Sequence, residues 1–469
     1  MTNDDVCVLS LEAVAAEIAA RRISPVELTR TLLDRIERLN PLLNAYITVT
    51  GEQALTEARV ATDAIARGEY RGPLHGVPIA HKDLFATRGV RTTAGSKILA
   101  EWIPERDAPV VERLRAAGAI SLGKLGMHEW ACGITSDNPH FGAIRNPWDT
   151  ERIPGGSSGG SGAAAAAALA CVALGSDTAG SIRIPSHFCG CVGLMPTYGR
   201  VSLRDVVPLS WTLDHPGPLA RTVRDCAIVL QAIAGPDADD QSTAHVPAPD
   251  YLAEIERGPK GLRVGLPRQH FWEQLDADVE RLVRAAINGL EAAGAEIRET
   301  DFPDAQEWNT AATTILIVEA AAYHAPYFPS RKQDYGEDVA RVLDAGAAVP
   351  GTAYVNARRA LERARGGAAD ALLDGVDVLA VPTVPFPAPT IASIREGADA
   401  TGRGIALTAL FDLTGQPVLT VPCGLTSAQL PVGVSFVARQ WDEATLLRAG
   451  RAYEQVRGAF PLPPIAVPA

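Results

Sequence analysis

The sequence predicts a single large α/β domain in which a mixed, mostly parallel β-sheet core is covered by helices on both sides. Short apolar segments alternate along the chain with longer segments of helical periodicity. No clean linker and no internal repeat divides the 469 residues. With 47% hydrophobic and 21% charged residues, the composition is that of a globular protein with ample material for a core. One domain is therefore expected to span residues 1–469.

The N-terminal segment, residues 1–70, is expected to be helical and to pack on this core. The sequence Ser24–Glu27 has the form of a capping box with proline at the first helical position. Apolar residues follow at helical spacing, and the Asn40-Pro41 pair predicts the end of that helix. A second helix is predicted over residues 53–66.

The rest of the chain predicts short strands and amphipathic helices. Strands are predicted near 77–80, 119–122, 262–266, 376–381, 418–421 and 432–437, and helices near 109–117, 222–233, 278–293 and 443–456. Apolar strands resume after the proline-rich stretch 382–389, which is therefore interpreted as a loop within the domain.

Charge and composition argue against several classes of function. The net charge of −12 and the pI of about 5.3 oppose binding to nucleic acid or to an anionic membrane. The longest apolar run, residues 163–175, is too short to span a bilayer, and the acidic start MTNDD lacks the features of a signal peptide. Seven cysteines without a CxxC pair predict neither a disulfide framework nor a metal site. We expect a cytoplasmic monomer or homodimer without a metal or cofactor.

The most unusual segment is the glycine–serine run at 154–162, which precedes six alanines. A flexible linker fits poorly because the alanines predict a buried helix, and a phosphate-binding loop would need a GK[ST] element. A nucleophile elbow around Ser158 would need a buried strand before it, whereas residues 149–154 have the composition of a loop. An active-site loop of hydroxyl groups, with glycines that allow close packing, remains as the fourth interpretation.

Two further segments carry candidate catalytic groups. Residues 175–185 place a turn of small residues before Ser181, and such a turn can direct several backbone N–H groups at one point, as an oxyanion hole requires. Residues 76–83 place Lys82 at the end of an apolar strand, where a lysine in a dry site can lose its proton and act as a base. Taken singly, a structural turn and a surface lysine explain these segments at least as well.

Together, the three segments resemble the amidase signature family of serine hydrolases. They read GVPxxxKD, GGSSGGS and GSDTxGSIRxP, and Ser157 and Ser181 are separated by the 24 positions found between the family's two catalytic serines. The resemblance continues through 123–148, 190–199 and 431–447, and so covers nearly the whole chain from about residue 10. It implies the amidase signature fold.

The resemblance also implies a role for each group. Ser181 is expected to be the nucleophile, Ser157 the bridging serine and Lys82 the base. In relatives the bridging serine follows a cis peptide bond, here Gly156–Ser157. Backbone donors of the oxyanion hole and supporting side chains are expected from Thr178, Ala179, Gly180 and Ser181, and from Ser158, Asp177 and Arg183, respectively.

The implied reaction is cleavage of a C–N bond through an acyl-enzyme. The substrate would be a small amide, carbamate or aryl amide, with esters as side substrates. Residues 71–230 would hold the catalytic motifs, and residues 300–365 would build a variable substrate pocket that favours a neutral, hydrophobic substrate. The aromatic residues expected in that pocket are Trp308, Tyr323, Tyr327, Phe328 and Tyr354.

Some positions depart from the family pattern or offer another mechanism. Ala179 stands where the family usually has glycine, and its methyl group is expected to narrow the oxyanion pocket or restrict φ. Asp412 stands where relatives often have asparagine, and we expect it to pair with a nearby donor rather than with substrate. His187 and His215 lie downstream of Ser181, so a Ser-His-Asp triad is an alternative, although the lysine segment explains more of the sequence.

Two other functions stay open. The first is the glutamine-hydrolysing subunit of a tRNA-dependent amidotransferase, which shares the fold and the catalytic residues. Those subunits carry an acidic residue at the position of Ile405, and their YDG-type loop has no counterpart at 323–335. The second is a catalytically inactive binding protein on the same scaffold, which would be expected to lose Lys82, Ser157 or Ser181.

Overall fold

Strands and helices form where the sequence predicts them over much of the computed structural model, which describes residues 3–467. The strands are β1 (Tyr46–Val49), β2 (Pro78–Lys82), β3 (Ile120–Leu125), β4 (Asp137–Asn138), β5 (Gly142–Ala143), β6 (Val172–Asp177), β7 (Val192–Met195), β8 (His215–Ala220), β9 (Arg263–Pro267), β10 (Glu296–Thr300), β11 (Val378–Pro382), β12 (Val418–Leu425) and β13 (Pro431–Val437).

The helices flank this sheet and alternate with its strands along the chain. They are α1 (Asn3–Cys7), α2 (Leu11–Ala19), α3 (Pro25–Leu43), α4 (Gly51–Ala66), α5 (Pro109–Ala116), α6 (Gly159–Ala166), α7 (Arg183–Cys189), α8 (Val223–Ile233), α9 (Ala277–Ala292), α10 (Ala305–His324), α11 (Phe328–Arg331), α12 (Glu337–Ala348), α13 (Gly351–Arg363), α14 (Ala369–Ala371), α15 (Ile391–Arg395), α16 (Ala400–Ile405), α17 (Ala409–Thr414) and α18 (Glu443–Arg457).

Within residues 3–467, eleven strands join in one mixed sheet in the order β1-β3-β2-β6-β8-β7-β12-β13-β11-β9-β10. This confirms the α/β class and the mixed sheet. Parallel pairs occupy two flanking blocks, β3-β2-β6 and β11-β9-β10. The central strands from β6 to β11, and the edge pair of β1 with β3, run antiparallel. The expected parallel majority is therefore restricted to the flanks, because links such as residues 426–430 between β12 and β13 are too short for a parallel crossover.

The helix predicted to end at Asn40-Pro41 continues to Leu43, with Pro41 inside it. The helix ends at Asn44 instead, which has the left-handed φ of 51° and donates its N–H to the Asn40 carbonyl. A proline in the last turn removes one donor but leaves this terminal bond intact. The capping box at Ser24 and Glu27 is present as predicted.

The predicted buried alanine helix is α6, in which every residue is buried. Of the aromatic residues expected in a substrate pocket, Trp308 lies in the core, edge-on to Phe302. Tyr327 is exposed, and Tyr354 donates to the buried carboxylate of Glu319 at 2.9 Å. Trp308 is thus a core residue, so its expected place in the pocket was wrong.

Candidate active site

The lysine segment and both serine segments meet at one edge of the sheet. Strands β2 and β6 are parallel neighbours, with Ile79 paired to Val172. The carboxyl ends of parallel neighbours lie at the same edge, which is where α/β proteins place their sites. Lys82 ends β2, Asp177 ends β6, and the serine loop runs into the first turn of α6.

Lys82 is fully buried and bonds only to neutral groups. Its Nζ lies 2.7 Å from Ser157 Oγ and 2.9 Å from Ser176 Oγ. Within residues 3–467, no carboxylate lies within 4.0 Å of this nitrogen. Burial lowers the pKa of Lys82 to about 7, although the charges of Asp177 and Asp214 act in the opposite direction.

The alternative in which Lys82 pairs with Asp83 does not occur in the structure. The Asp83 carboxylate accepts hydrogen bonds from Thr93 and lies 3.9 Å from Lys124 Nζ. Lys124, on the neighbouring strand β3, also donates to the Phe85 carbonyl and to two threonine hydroxyls. The sheet therefore holds two buried lysines, one beside an acid and one beside two serines.

The expected cis peptide bond joins Gly156 and Ser157. The Ser157 carbonyl accepts the N–H of His128 at 3.0 Å. A side chain on Gly156 would meet Ser136 Oγ at 2.7 Å, so the glycine allows the close approach of these two segments. Ser158 Oγ donates to the Ser176 carbonyl at 3.0 Å and fixes the loop to β6.

The turn from Thr178 to Ser181 presents unpaired backbone donors. In the described part of the chain, the N–H groups of Thr178, Ala179 and Ser181 have no protein acceptor. The Gly180 N–H differs from the expectation, because it donates to the Asp177 carboxylate. Ser181 is 6% exposed, whereas Ser157 and Lys82 are 0% exposed, so Ser181 is the more accessible of the three.

The second position of this turn tolerates alanine because its backbone does not have a positive φ. Gly180 does, at φ +123°, and a side chain there would meet Thr408 Oγ1 at 2.5 Å. The Thr408 hydroxyl donates to the Ala179 carbonyl at 2.6 Å and supports the turn from the other side. Glycine is thus required at the third position of the turn and not at the second.

A buried guanidinium joins two carboxylates behind the turn. Arg183 binds Asp177 through two nitrogens, at 2.8 and 3.0 Å, and reaches Asp412 at 2.5 Å. Although burial opposes it, the charge of Arg183 holds the pKa of Asp177 well below its usual range. Burial raises the pKa of Asp412 well above its usual value. The expectation that Asp412 pairs with a nearby donor is confirmed.

Neither candidate histidine hydrogen-bonds Ser181 in the described contacts. His187 Nδ1 accepts the N–H of Gly433 at 3.0 Å, and His215 Nδ1 lies 3.6 Å from Asp412. Burial lowers the pKa of His187 to about 4 and that of His215 to about 3. The structure assembles the lysine arrangement and does not assemble the alternative Ser-His-Asp triad.

Sequence reasoning missed Ser176, Thr408 and Asp214, all of which contact the site. Ser176 directly precedes Asp177 in the signature, and this position at the end of β6 could have indicated it. Thr408 and Asp214 reach the turn from distant segments, so no local pattern indicates them. No group of three or more side chains able to hold a metal ion occurs among residues 3–467. None of the described helices combines the length and apolarity that crossing a membrane requires.

The fold and this edge of the sheet define an α/β protein with a buried lysine–serine site of the kind that acts on amides. The family model "Amidase" matches residues 27–447, and the chain belongs to that family, the amidase signature enzymes. A glutamyl-tRNA(Gln) amidotransferase chain from Moorella thermoacetica, one subunit of that enzyme, is 42% identical over 93% of this chain and 94% of that protein.

Solved structures agree with this assignment. One belongs to a vestigial protein complex described in connection with the origins of an s-triazine catabolic enzyme. It is 35% identical, covers 97% of this chain and 100% of its own, and has a TM-score of 0.91. The peptide amidase from Stenotrophomonas maltophilia is 34% identical, covers 98% of this chain and 99% of its own, and has a TM-score of 0.88.

Proposed function

We propose that the chain hydrolyses the C–N bond of a small amide, with Ser181 as nucleophile, Ser157 as relay and Lys82 as base. The observation that carries the proposal is the 2.7 Å contact between a buried lysine nitrogen and Ser157 Oγ, with no acid beside the lysine. A buried lysine without a counter-charge favours its neutral form, which can accept a proton. A pKa of about 7 keeps much of Lys82 neutral under physiological conditions.

The chemistry follows from these protonation states. Neutral Lys82 takes the proton of Ser157, which takes that of Ser181 as this oxygen attacks the carbonyl carbon. The unpaired N–H groups of Thr178, Ala179 and Ser181 stabilise the oxyanion. Ser157 then protonates the leaving nitrogen and recovers its proton from Lys82. Water hydrolyses the acyl-enzyme along the same relay, and Ser181 regains its proton.

Lys124 supports the proposal by contrast. It is equally buried, on the adjacent strand, and Asp83 lies beside it together with several neutral acceptors. That arrangement is typical of a lysine that supports the fold. Lys82 has only neutral partners, and the nearest of them is Ser157, beside the turn that carries Ser181.

The direct test uses serine variants and two substrate types. Ser181→Ala is expected to lose at least about a hundredfold in amide hydrolysis and to lose labelling by a fluorophosphonate. Ser161→Ala is the matched control, because this buried serine lies on α6 and donates only to the Leu174 carbonyl. Ser181→Ala with near wild-type activity would refute the proposal. Lys82→Ala should affect amides more than esters, since an alkoxide leaving group needs less protonation than an amine.

The glutamine-hydrolysing subunit of an amidotransferase is a second candidate, favoured by the 42% identity to a chain of such an enzyme. Against it, Ile405 places an aliphatic side chain where those subunits are expected to bind the substrate ammonium group with an acid. Ammonia release should be measured from glutamine and from a panel of neutral amides, anilides and carbamates. The glutamine assay should be repeated with the partner subunits and aminoacyl-tRNA of an amidotransferase. Selective glutamine hydrolysis that depends on those partners would establish the second candidate.

A further inference from the structure

A buried carboxylate outside the proposed relay binds the turn that precedes Ser181. Thr178 Oγ1 donates to Asp214 Oδ1 at 2.6 Å, while the Thr178 N–H is one of the three unpaired donors. Asp214 is 4% exposed, so it has little access to a substrate in solution. Its contact with the turn is made through the side chain of Thr178, which leaves the backbone donor available.

Asp214 is itself held in place from two directions. The N–H groups of Leu209 and Ser210 donate to its carboxylate at 3.0 and 3.2 Å. Ser210 Oγ donates in turn to Glu319 Oε2 at 2.6 Å, and Glu319 is buried on α10. The segment 209–214 thus links α10 to the turn through two buried acids and the residue between them.

Asp214 also interacts electrostatically with the proposed base. Burial raises the pKa of Asp214 to about 7, against the hydrogen bonds from Thr178, Ser210 and Leu209. Its negative charge raises the pKa of Lys82. The other titratable and charged groups that face Asp214, or face its immediate partners, are Asp177 on β6, Tyr198, Glu319 on α10, Arg358 on α13 and Arg365.

We propose that Asp214 is a positioning residue of the amide-hydrolysing site: it fixes Thr178 so that the turn presents its N–H groups to the substrate carbonyl, and its charge acts on Lys82. This inference rests on the proposed function. It assigns a task to a residue that lies 36 positions beyond the turn and contacts none of the three relay side chains.

The geometric half of the proposal is tested at Thr178. Thr178→Val removes the hydroxyl and keeps the branched shape, whereas Thr178→Ser keeps the hydroxyl. We expect the valine variant to lose on the order of 10- to 100-fold in kcat, with a smaller change in KM, and the serine variant to stay near wild type. The loss should be similar for amide and ester substrates, because both reactions develop an oxyanion. Equal kcat values for the two variants would overturn the proposal.

The electrostatic half is tested with Asp214→Asn. Loss of the negative charge should lower the pKa of Lys82, so the acidic limb of the rate profile should move to lower pH while kcat falls. Asp225→Asn is the matched control, because Asp225 is a buried acid on α8 that accepts the N–H of Glu12. The control should keep the wild-type rate profile. An unchanged pH midpoint and kcat in Asp214→Asn would overturn the proposal.

Two measurements keep the outcomes distinct. If Ser181→Ala remains active, the proposed function fails; if it is inactive while Asp214→Asn behaves as wild type, only the role of Asp214 fails. Should Asp214→Asn not fold, as judged by circular dichroism, the comparison of Thr178→Val with Thr178→Ser decides the matter alone.

Discussion

Replacing Lys82 with methionine should change the pH dependence of stability as well as activity. Burial lowers the pKa of Lys82 from 10.5 to about 7, so the unfolded chain binds the proton more tightly than the folded chain. Between these two values the unfolded state carries more protons, and the stability of the wild type therefore rises with pH relative to a variant without this amine.

The size of the effect follows from the two pKa values. The whole difference corresponds to on the order of 5 kcal/mol, because one pKa unit equals about 1.4 kcal/mol. Between pH 6 and pH 9 the part that develops is about 2–3 kcal/mol. Methionine also leaves the Ser157 and Ser176 hydroxyls without a partner, which costs about 1–3 kcal/mol for each at any pH.

The assay is urea unfolding of wild type and Lys82→Met at pH 6, 7, 8 and 9. The difference in unfolding free energy should move in favour of the wild type as pH rises, while amide hydrolysis by the variant stays near background. Ser161→Ala, which changes no titratable group, should differ from wild type by the same amount at every pH. A pH-independent difference for Lys82→Met would mean that Lys82 has no depressed pKa and would refute its assignment as the base.

Three further outcomes are expected. Amide hydrolysis should survive prolonged incubation with EDTA, because the relay uses only serine and lysine side chains; activity that is lost and then restored by zinc would contradict the mechanism. Gly180→Ala should lose on the order of 1–3 kcal/mol of stability and most activity, whereas Ala179→Gly should retain activity; thermal unfolding and initial rates measure both. Asp412→Asn should remain active and gain stability relative to wild type as pH rises from about 4 to 8, because an acid with a raised pKa loses its stabilising contribution as pH rises. Urea unfolding at the two pH values checks the last point, and a constant difference would show that Asp412 is ionised throughout.

Much of the fold could be predicted because strong periodicity coincides with the structure. The predicted helices near 109–117, 222–233 and 278–293 end within a residue or so of α5, α8 and α9. Strands β6, β7 and β8 were missed, because glycines and prolines interrupt their apolar pattern and mask the alternation. Their place in the centre of the sheet, buried on both faces, outweighs the low strand propensity of these residues.

The candidate site was predictable where its residues lie in short signatures. Lys82, Ser157 and Ser181 occupy three such segments, and the parallel pairing of β2 with β6 brings the first of them to the others. Asp214 and Thr408 were not predictable, because their contacts with the turn cross 36 and 229 positions of sequence. Side chains that support a turn from distant loops follow no period, and only the packed chain identifies them.

The two residues before Ser181 illustrate why a family pattern alone does not fix the chemistry of this site. Two glycines are usual there, and the sequence cannot say which one the backbone needs. The structure separates them, because Gly180 has φ +123° and lies against Thr408, whereas Ala179 does not have a positive φ and only its carbonyl is used. The methyl group of Ala179 therefore costs the turn no backbone strain, and the adjacent N–H groups keep their direction. Activity in Ala179→Gly together with its loss in Gly180→Ala would locate the constraint at the second glycine, where the turn contacts Thr408 at the start of α17.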